Sequence, residues 1–75
     1  MKTADELFEE LGYKIDIEKN YGLIRYAKEE EYIRFYLDDE ILSCNRIIDN
    51  EIYPLEIDGK LLKAIYKKCE ELKCI

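Results

Sequence analysis

The sequence contains no histidine and no tryptophan, and it has one proline and three glycines among its 75 residues. Histidine is the commonest general base near neutral pH, so its absence removes the usual way of activating a serine, a cysteine or a water molecule. Carboxylates are abundant but fall in predicted turns, and so short a chain leaves little volume for a catalytic cleft. We therefore expect no enzymatic activity.

The three cysteines, Cys44, Cys69 and Cys74, are odd in number and form no C-x-x-C arrangement. This spacing indicates neither a disulfide framework nor a zinc site, so we expect reduced thiols and no cofactor. Long apolar runs are also missing, both after Met1, where Lys2 and Asp5 interrupt any such segment, and in the rest of the chain. The sequence therefore predicts a cytoplasmic protein with no membrane association.

Acidic residues outnumber basic ones by 18 to 12, which gives a net charge of −6. A negative field repels phosphate backbones and anionic membranes, so nucleic acid is not an expected partner. Arg34 and its aromatic neighbours on a predicted strand loosely resemble the stacking platforms of RNA-binding sheets, but the glycine-bearing RNP pattern is missing. A protein surface, basic or self-complementary, is the more natural partner.

Two helices are indicated by their caps and apolar stripes. Thr3 and Glu6 have the spacing of a capping box, and Gly12 is placed to end the first helix in a left-handed conformation. Asp58 offers an N-cap for a second helix. The predicted apolar stripes are Ala4, Leu7, Phe8 and Leu11 in the first helix and Leu61, Leu62, Ile65, Cys69 and Leu72 in the second.

Between the helices the apolar period changes to two, which is typical of half-buried strands. The clearest strand covers residues 32–37, with Ile33, Phe35 and Leu37 predicted to face the core. A strand over 23–28 would turn Ile24 and Tyr26 toward the core. A strand over 13–18 would bury Ile15 and Ile17 together and leave Asp16 exposed to solvent. Asn20, Tyr21 and Gly22 are suited to the hairpin turn between them.

The pattern over residues 41–48 is less clean, and either face of this fourth strand could be the buried one. Pro54 restricts residues 52–57 to an edge strand or an extended connector, because proline cannot donate to the ladder. We therefore predict an α+β fold in a single domain, residues 1–75, with an N-terminal helix, an antiparallel meander of four or five strands, and a C-terminal helix. Because each helix has one apolar stripe, both should pack on the same face of the sheet.

The opposite face of the sheet is then left bare, and it is our candidate interaction surface. Tyrosine and arginine are enriched at interaction hot spots because each joins a large apolar body to a polar tip. The alternative is that these tyrosines only stabilise the sheet through cross-strand pairing. The residues predicted on this surface are Leu23, Arg25, Tyr32, Arg34 and Tyr36.

A second candidate is an acidic patch at one end of the sheet, since alternate turns of a meander lie at the same end. Its residues are Glu29, Glu30, Glu31, Asp49 and Glu51. Such a cluster could contact a basic partner or a divalent cation, although its spacing matches no calcium loop. Turn residues that are simply solvated are the alternative.

Residues 2–13, the Ile33-Arg34-Phe35 segment, and residues 62–65 and 68–72 resemble a group of small uncharacterised proteins of low-GC Gram-positive bacteria and their phages and prophages. Lys73-Cys74-Ile75 departs from the glycine and aromatic pair that often ends those chains. The resemblance transfers no active-site residue. It implies a mobile-element context and a small binding or host-modulating protein.

The sequence thus favours a protein-interaction module, with self-association into a homodimer through the open sheet face as one form of it. Two alternatives stay open. One is an acidic inhibitor of a nucleic-acid-binding host enzyme, such as a CRISPR effector, that acts as a DNA mimic. The other is a metal- or ligand-binding domain.

Overall fold

The computed structural model describes residues 2–20 and 22–74. Its helices are α1 (Ala4–Glu10) and α2 (Gly59–Glu71), and the five strands between them are β1 (Lys14–Asn20), β2 (Leu23–Lys28), β3 (Glu31–Tyr36), β4 (Ile41–Ile48) and β5 (Glu51–Pro54). The strands form one antiparallel sheet in the order β1-β2-β3-β4-β5. The predicted α+β meander is confirmed, and its fifth strand is an edge strand that ends at Pro54.

Helix α1 begins and ends where its cap residues predict. The Thr3 side chain accepts a hydrogen bond from the Glu6 N–H, and the Glu6 carboxylate accepts one from the Thr3 N–H at 2.9 Å. Gly12 has a φ of +93°, and the Tyr13 N–H donates to the Phe8 carbonyl at 3.0 Å, which closes a Schellman motif. These two caps fix the angle at which the chain enters β1.

The core lies between the two helices and the inward face of β2 and β3. Phe8 is fully buried and stacks on Tyr26 with ring centroids 4.0 Å apart. Tyr13 and Phe35 meet the Phe8 ring edge-on. The remaining buried apolar residues are Ala4, Ile24, Ile33, Leu61, Ala64 and Ile65. The predicted inward residues of β2 and β3 are therefore core residues, and Leu37, just past β3, packs against them.

A β-bulge in β1 changes the predicted orientation of Ile17. Ile15 pairs with Tyr26, but the next pair along the ladder is Ile17 with Arg25, so β1 has an extra residue, Asp16, at this point. Residues paired across an antiparallel ladder share a face, and Arg25 faces away from the helices. The prediction that Ile17 is buried with Ile15 was wrong, because the bulge moves Ile17 to the other side of the sheet.

The apolar stripe of α2 also differs from the prediction. Leu61, Ala64 and Ile65 are buried, whereas Leu62 is 57 % exposed. A helical turn of 3.6 residues places Ala64 and Ile65 below Leu61, and Leu62 falls on the flank. Between α2 and α1, Lys68 forms an ion pair with Asp5 and lies over the Tyr26 ring. No helix in the described part of the chain is long and apolar enough to span a membrane.

Two buried tyrosines should make the fold sensitive to alkali. Burial, followed by hydrogen bonds from the Tyr26 hydroxyl to Asp5 and from the Tyr13 hydroxyl to Glu31, raises the pKa of both phenols. The unfolded chain has a tyrosine pKa of about 10. The raised pKa in the folded state therefore contributes its full stabilisation below about pH 10, and this contribution is lost progressively as the pH rises above that value. The free energy of unfolding, measured by urea denaturation, should fall less between pH 8 and about pH 11 in Tyr26→Phe than in the wild type. Equal losses in the two proteins would contradict the assignment.

Candidate functional site: the open sheet face

The face of the sheet that is turned away from both helices is uncovered, and we call it the open face. Its residues are defined by the cross-strand pairs, because directly opposed residues point the same way. Three of them are exposed large hydrophobic residues: Tyr36 at 38 %, Ile41 at 54 % and Ile52 at 71 %. The open face comprises Lys14, Ile17, Leu23, Arg25, Ala27, Tyr32, Arg34, Tyr36, Ile41, Ser43, Asn45, Ile47, Ile52 and Pro54, together with the bulge residue Asp16.

Apolar rows occupy both ends of the open face. Leu23, Tyr36 and Ile41 pair across β2, β3 and β4 at one end, and Ile47 pairs with Ile52 at the other. Between these ends the rows become polar, with Arg25, Arg34 and Ser43 in one row and Tyr32 and Asn45 in the next. The layout is a polar centre with an apolar row on each side of it.

The centre is an arginine–tyrosine cluster, which consists of Arg25, Tyr32 and Arg34. The two guanidinium carbons lie 5.0 and 5.2 Å from the centroid of the Tyr32 ring, so both cations contact one aromatic side chain. Contacts of this kind are worth about 0.5–1 kcal/mol at exposed sites. The cluster joins two cations to an apolar ring in the middle of the surface.

Side chains from two flanking strands hold the arginines in place. Asp16 accepts hydrogen bonds from Arg25 at 2.9 Å (Nε) and 2.8 Å (Nη2), and this pairing raises the pKa of Arg25. Asn45 accepts from Arg34 Nη1 at 2.9 Å and donates in turn to Ser43. Side chains that are already ordered lose less entropy when a partner binds. The cluster is therefore pre-organised for contact.

The two arginines differ in charge compensation. Asp16 neutralises Arg25 through a bidentate ion pair. The observed partners of Arg34 are the Asn45 amide oxygen and the Tyr32 ring, and within residues 2–20 and 22–74 no carboxylate forms an ion pair with it. One formal positive charge is left at the centre of the open face, on a chain whose net charge is −6.

The structure brings together all five residues predicted on this surface and adds several that the sequence did not indicate. Ile17 and Asp16 join through the bulge in β1, and the fourth strand contributes Ile41, Ser43, Asn45 and Ile47. The register of β3 with β4 decides which face of β4 is open, and it pairs Phe35 with Leu42 and Ile33 with Cys44 on the helix side. The alternating pattern of β4 alone contained no signal for this choice.

The acidic patch is divided between two faces. Glu29 and Glu30 lie in the β2–β3 turn beside the β4–β5 turn that contains Asp49, and the Ile47 N–H donates to the Glu30 carbonyl at 2.9 Å. The carboxylate of Glu31 instead accepts from the Tyr13 hydroxyl at 2.7 Å on the helix side. Glu51 likewise lies on the helix side of β5 and accepts from the Tyr53 hydroxyl.

The chemistry available elsewhere in the described residues is limited. No group of three or more histidine, cysteine, aspartate or glutamate side chains within residues 2–20 and 22–74 is arranged to hold a metal ion. Burial raises the pKa of the thiols of Cys44 and Cys69, which keeps both protonated and weakly nucleophilic near neutral pH.

Comparison with protein-family models, with curated proteins and with solved structures gives no match.

Proposed function

We propose that this protein is an interaction module without catalytic chemistry, and that it binds a protein partner through the open face of its sheet. One observation carries the proposal: a pre-organised arginine–tyrosine cluster lies between two exposed apolar rows. Buried aromatic and arginine anchors surrounded by apolar contacts are the usual composition of an interaction hot spot. The surface therefore has the parts that an interface core needs.

The charge of Arg34 specifies the partner further. A guanidinium without a carboxylate partner would be costly to bury in an interface, unless the partner supplies an anion or several acceptors. The matching surface is one with a carboxylate aimed at Arg34 and apolar side chains that cover Tyr36, Ile41 and Ile52. We therefore propose an acidic and apolar patch of another protein as the occupant.

A second copy of the chain is the other candidate occupant, and the apolar rows favour it. In a two-fold dimer the same surface is used twice, so each apolar row would be covered by apolar residues of its partner. The same symmetry would also bring two arginine–tyrosine clusters toward each other. This repulsion makes self-association the less favourable arrangement unless the two sheets are offset.

Salt dependence distinguishes the two occupants. Salt should reduce the advantage of the wild type over Arg34→Glu in binding an acidic patch between about 50 mM and about 500 mM, because the attraction between Arg34 and the partner's carboxylate is screened while the net charge of −6 acts on both proteins alike. Self-association should instead strengthen with salt. Sedimentation velocity of the purified protein measures its self-association. Capture from a lysate identifies a partner, whose affinity is then measured. A monomer that captures nothing through the open face would contradict the proposal.

The turn that contains Glu29 and Glu30, together with Asp49, supports a second candidate function, inhibition of a basic nucleic-acid-binding enzyme. Adjacent acidic turns could occupy a site that normally holds phosphates. If the protein has this function, charge reversal of Glu29 and Glu30 should abolish binding to the enzyme. DNA should also compete with the protein for the enzyme. A phage or prophage origin and a cytoplasmic location stay predictions of the sequence.

A further inference from the structure

A second apolar surface lies between the two helices, on the side of the molecule opposite the open face. Leu62 and Tyr66 are one turn apart on α2 and are 57 % and 58 % exposed. With Leu7 of α1 they line a groove of about 580 Å³. Large apolar side chains left this open on a charged helix are not used by the core, so they are available to a partner. We call this surface the helix groove.

The helices that form the groove run antiparallel. The Ala4 N–H at the start of α1 donates to the Glu71 carboxylate at the end of α2, and Asp5 forms an ion pair with Lys68. Leu11, just after α1, lies beside Leu61 at the start of α2. The groove therefore runs between two antiparallel helices and extends over about 12 Å, the distance from Leu62 to Glu70 at 1.5 Å per residue.

Lysines lie at the edges of the apolar floor. They are Lys2, Lys63 and Lys67, of which Lys2 is paired with the Glu10 carboxylate, and the lining also contains the carboxylate of Glu70. Lys63 and Lys67 are four residues apart on α2 and so lie on the same side of the helix. With Glu10 and Glu70 counted, the three lysines leave a local excess of one positive charge on a chain whose net charge is −6.

We propose that the helix groove binds an amphipathic helix of a partner protein, with apolar residues on one side and acidic residues on its flanks. A third helix can pack between two antiparallel helices at the usual interaxial distance of about 8–10 Å. Two to three turns of apolar residues, repeated at i, i+3, i+4 and i+7, would cover Leu62, Tyr66 and Leu7. An acidic flank would meet Lys63. The protein would then have two binding surfaces on opposite sides of the sheet.

The test is a selection that assumes no particular partner. A display library of helical peptides of about 16 residues is selected against the purified full-length protein, and the recovered peptides are measured by fluorescence anisotropy. Recovered sequences should be amphipathic and acidic. They should bind Tyr66→Ser about tenfold more weakly, and Lys63→Glu about threefold or more weakly, than the wild type.

Two matched controls separate the groove from other surfaces. Lys60→Glu makes the same charge change on α2 outside the groove lining and should leave binding unchanged. Arg34→Glu tests the open face and should also have no effect, so this inference can fail independently of the proposed function. Because Tyr66 and Lys63 are exposed, the melting temperatures should agree within about 2 °C.

Three results would overturn the proposal. The first is that no recovered peptide binds with a Kd below about 100 μM. The second is that the recovered peptides are basic, or that they bind Tyr66→Ser and the wild type equally tightly. The third concerns membranes, since a lysine-flanked apolar surface can also contact anionic lipid. Binding to phosphatidylglycerol vesicles that is lost in Tyr66→Ser, without acidic peptide binding, would assign the groove to a membrane surface instead.

Discussion

Replacing Phe8 with alanine is expected to lower the free energy of unfolding by about 3–5 kcal/mol, the usual cost of removing a buried phenyl ring. Phe8 is fully buried and contacts the rings of Tyr26, Tyr13 and Phe35. A chain of 75 residues has only about 4–11 kcal/mol in total, so this loss is a large share of the free energy of unfolding. Urea denaturation followed by circular dichroism measures the change.

The size of this loss depends on α1 packing over the sheet. The matched control is Leu62→Ala, which removes a comparable apolar side chain from a site that is 57 % exposed and should cost below about 1 kcal/mol. If Phe8→Ala cost as little as Leu62→Ala, α1 would not cover β2 and β3. The distinction between the open face and the covered side of β2 and β3 would then be lost.

Replacing Arg34 with glutamate is expected to weaken binding of the open-face partner by about 100-fold. The change removes the one central charge that has no carboxylate partner and places a carboxylate where the partner's own carboxylate is proposed to lie. Hot-spot arginines commonly contribute at least about 2 kcal/mol, and repulsion between like charges adds to that, so about 2.8 kcal/mol, or two factors of ten, is the expected size.

The control for this prediction lies on the same pair of strands. Arg46 on β4 is exposed but faces the helix side, opposite Glu31, so Arg46→Glu makes the same charge change away from the open face. Both variants should keep the circular dichroism spectrum of the wild type. Binding measured by calorimetry should be lost only in Arg34→Glu, and equal losses in both would indicate a general effect of charge.

Much of the fold follows from local signals in the sequence. The capping box at Thr3 and Glu6, the left-handed Gly12 and the N-cap at Asp58 set the helix boundaries with chemistry that involves only a few neighbouring residues. The alternation from Tyr32 to Tyr36 likewise fixes which side of β3 meets the core. Such elements were predicted correctly because their structure depends little on distant parts of the chain.

Features that depend on register were not predictable in this way. The bulge at Asp16 inserts one residue without disturbing the alternating letters, so the pattern assigned Ile17 to the core. The exposure of Leu62 depends on where α1 crosses α2, and the open side of β4 depends on its ladder with β3. The turn residue Tyr21 lies outside the described residues, although the neighbouring Gly22 has the positive φ that the hairpin prediction required.

The candidate site shows both kinds of feature. Tyr32 and Arg34 could be placed on one face from a single strand, but Asn45 and Asp16, which hold the arginines, come from two other strands. Their short polar side chains give no sign in the sequence of the partner they will meet. Pre-organisation of the cluster is therefore visible only in three dimensions.

The central claim, that the open face is a protein-binding surface, is tested most directly by photo-crosslinking from within that face. Tyr36 is replaced by p-benzoylphenylalanine, which keeps an aromatic ring at a position that is 38 % exposed, and the same group at Arg46 serves as the control. We predict that irradiation in a lysate of the source organism gives one discrete protein adduct from position 36 and none from position 46. The adduct from position 36 should be lost when Arg34→Glu is added. No adduct from position 36, or equal adducts from both positions, would contradict the claim.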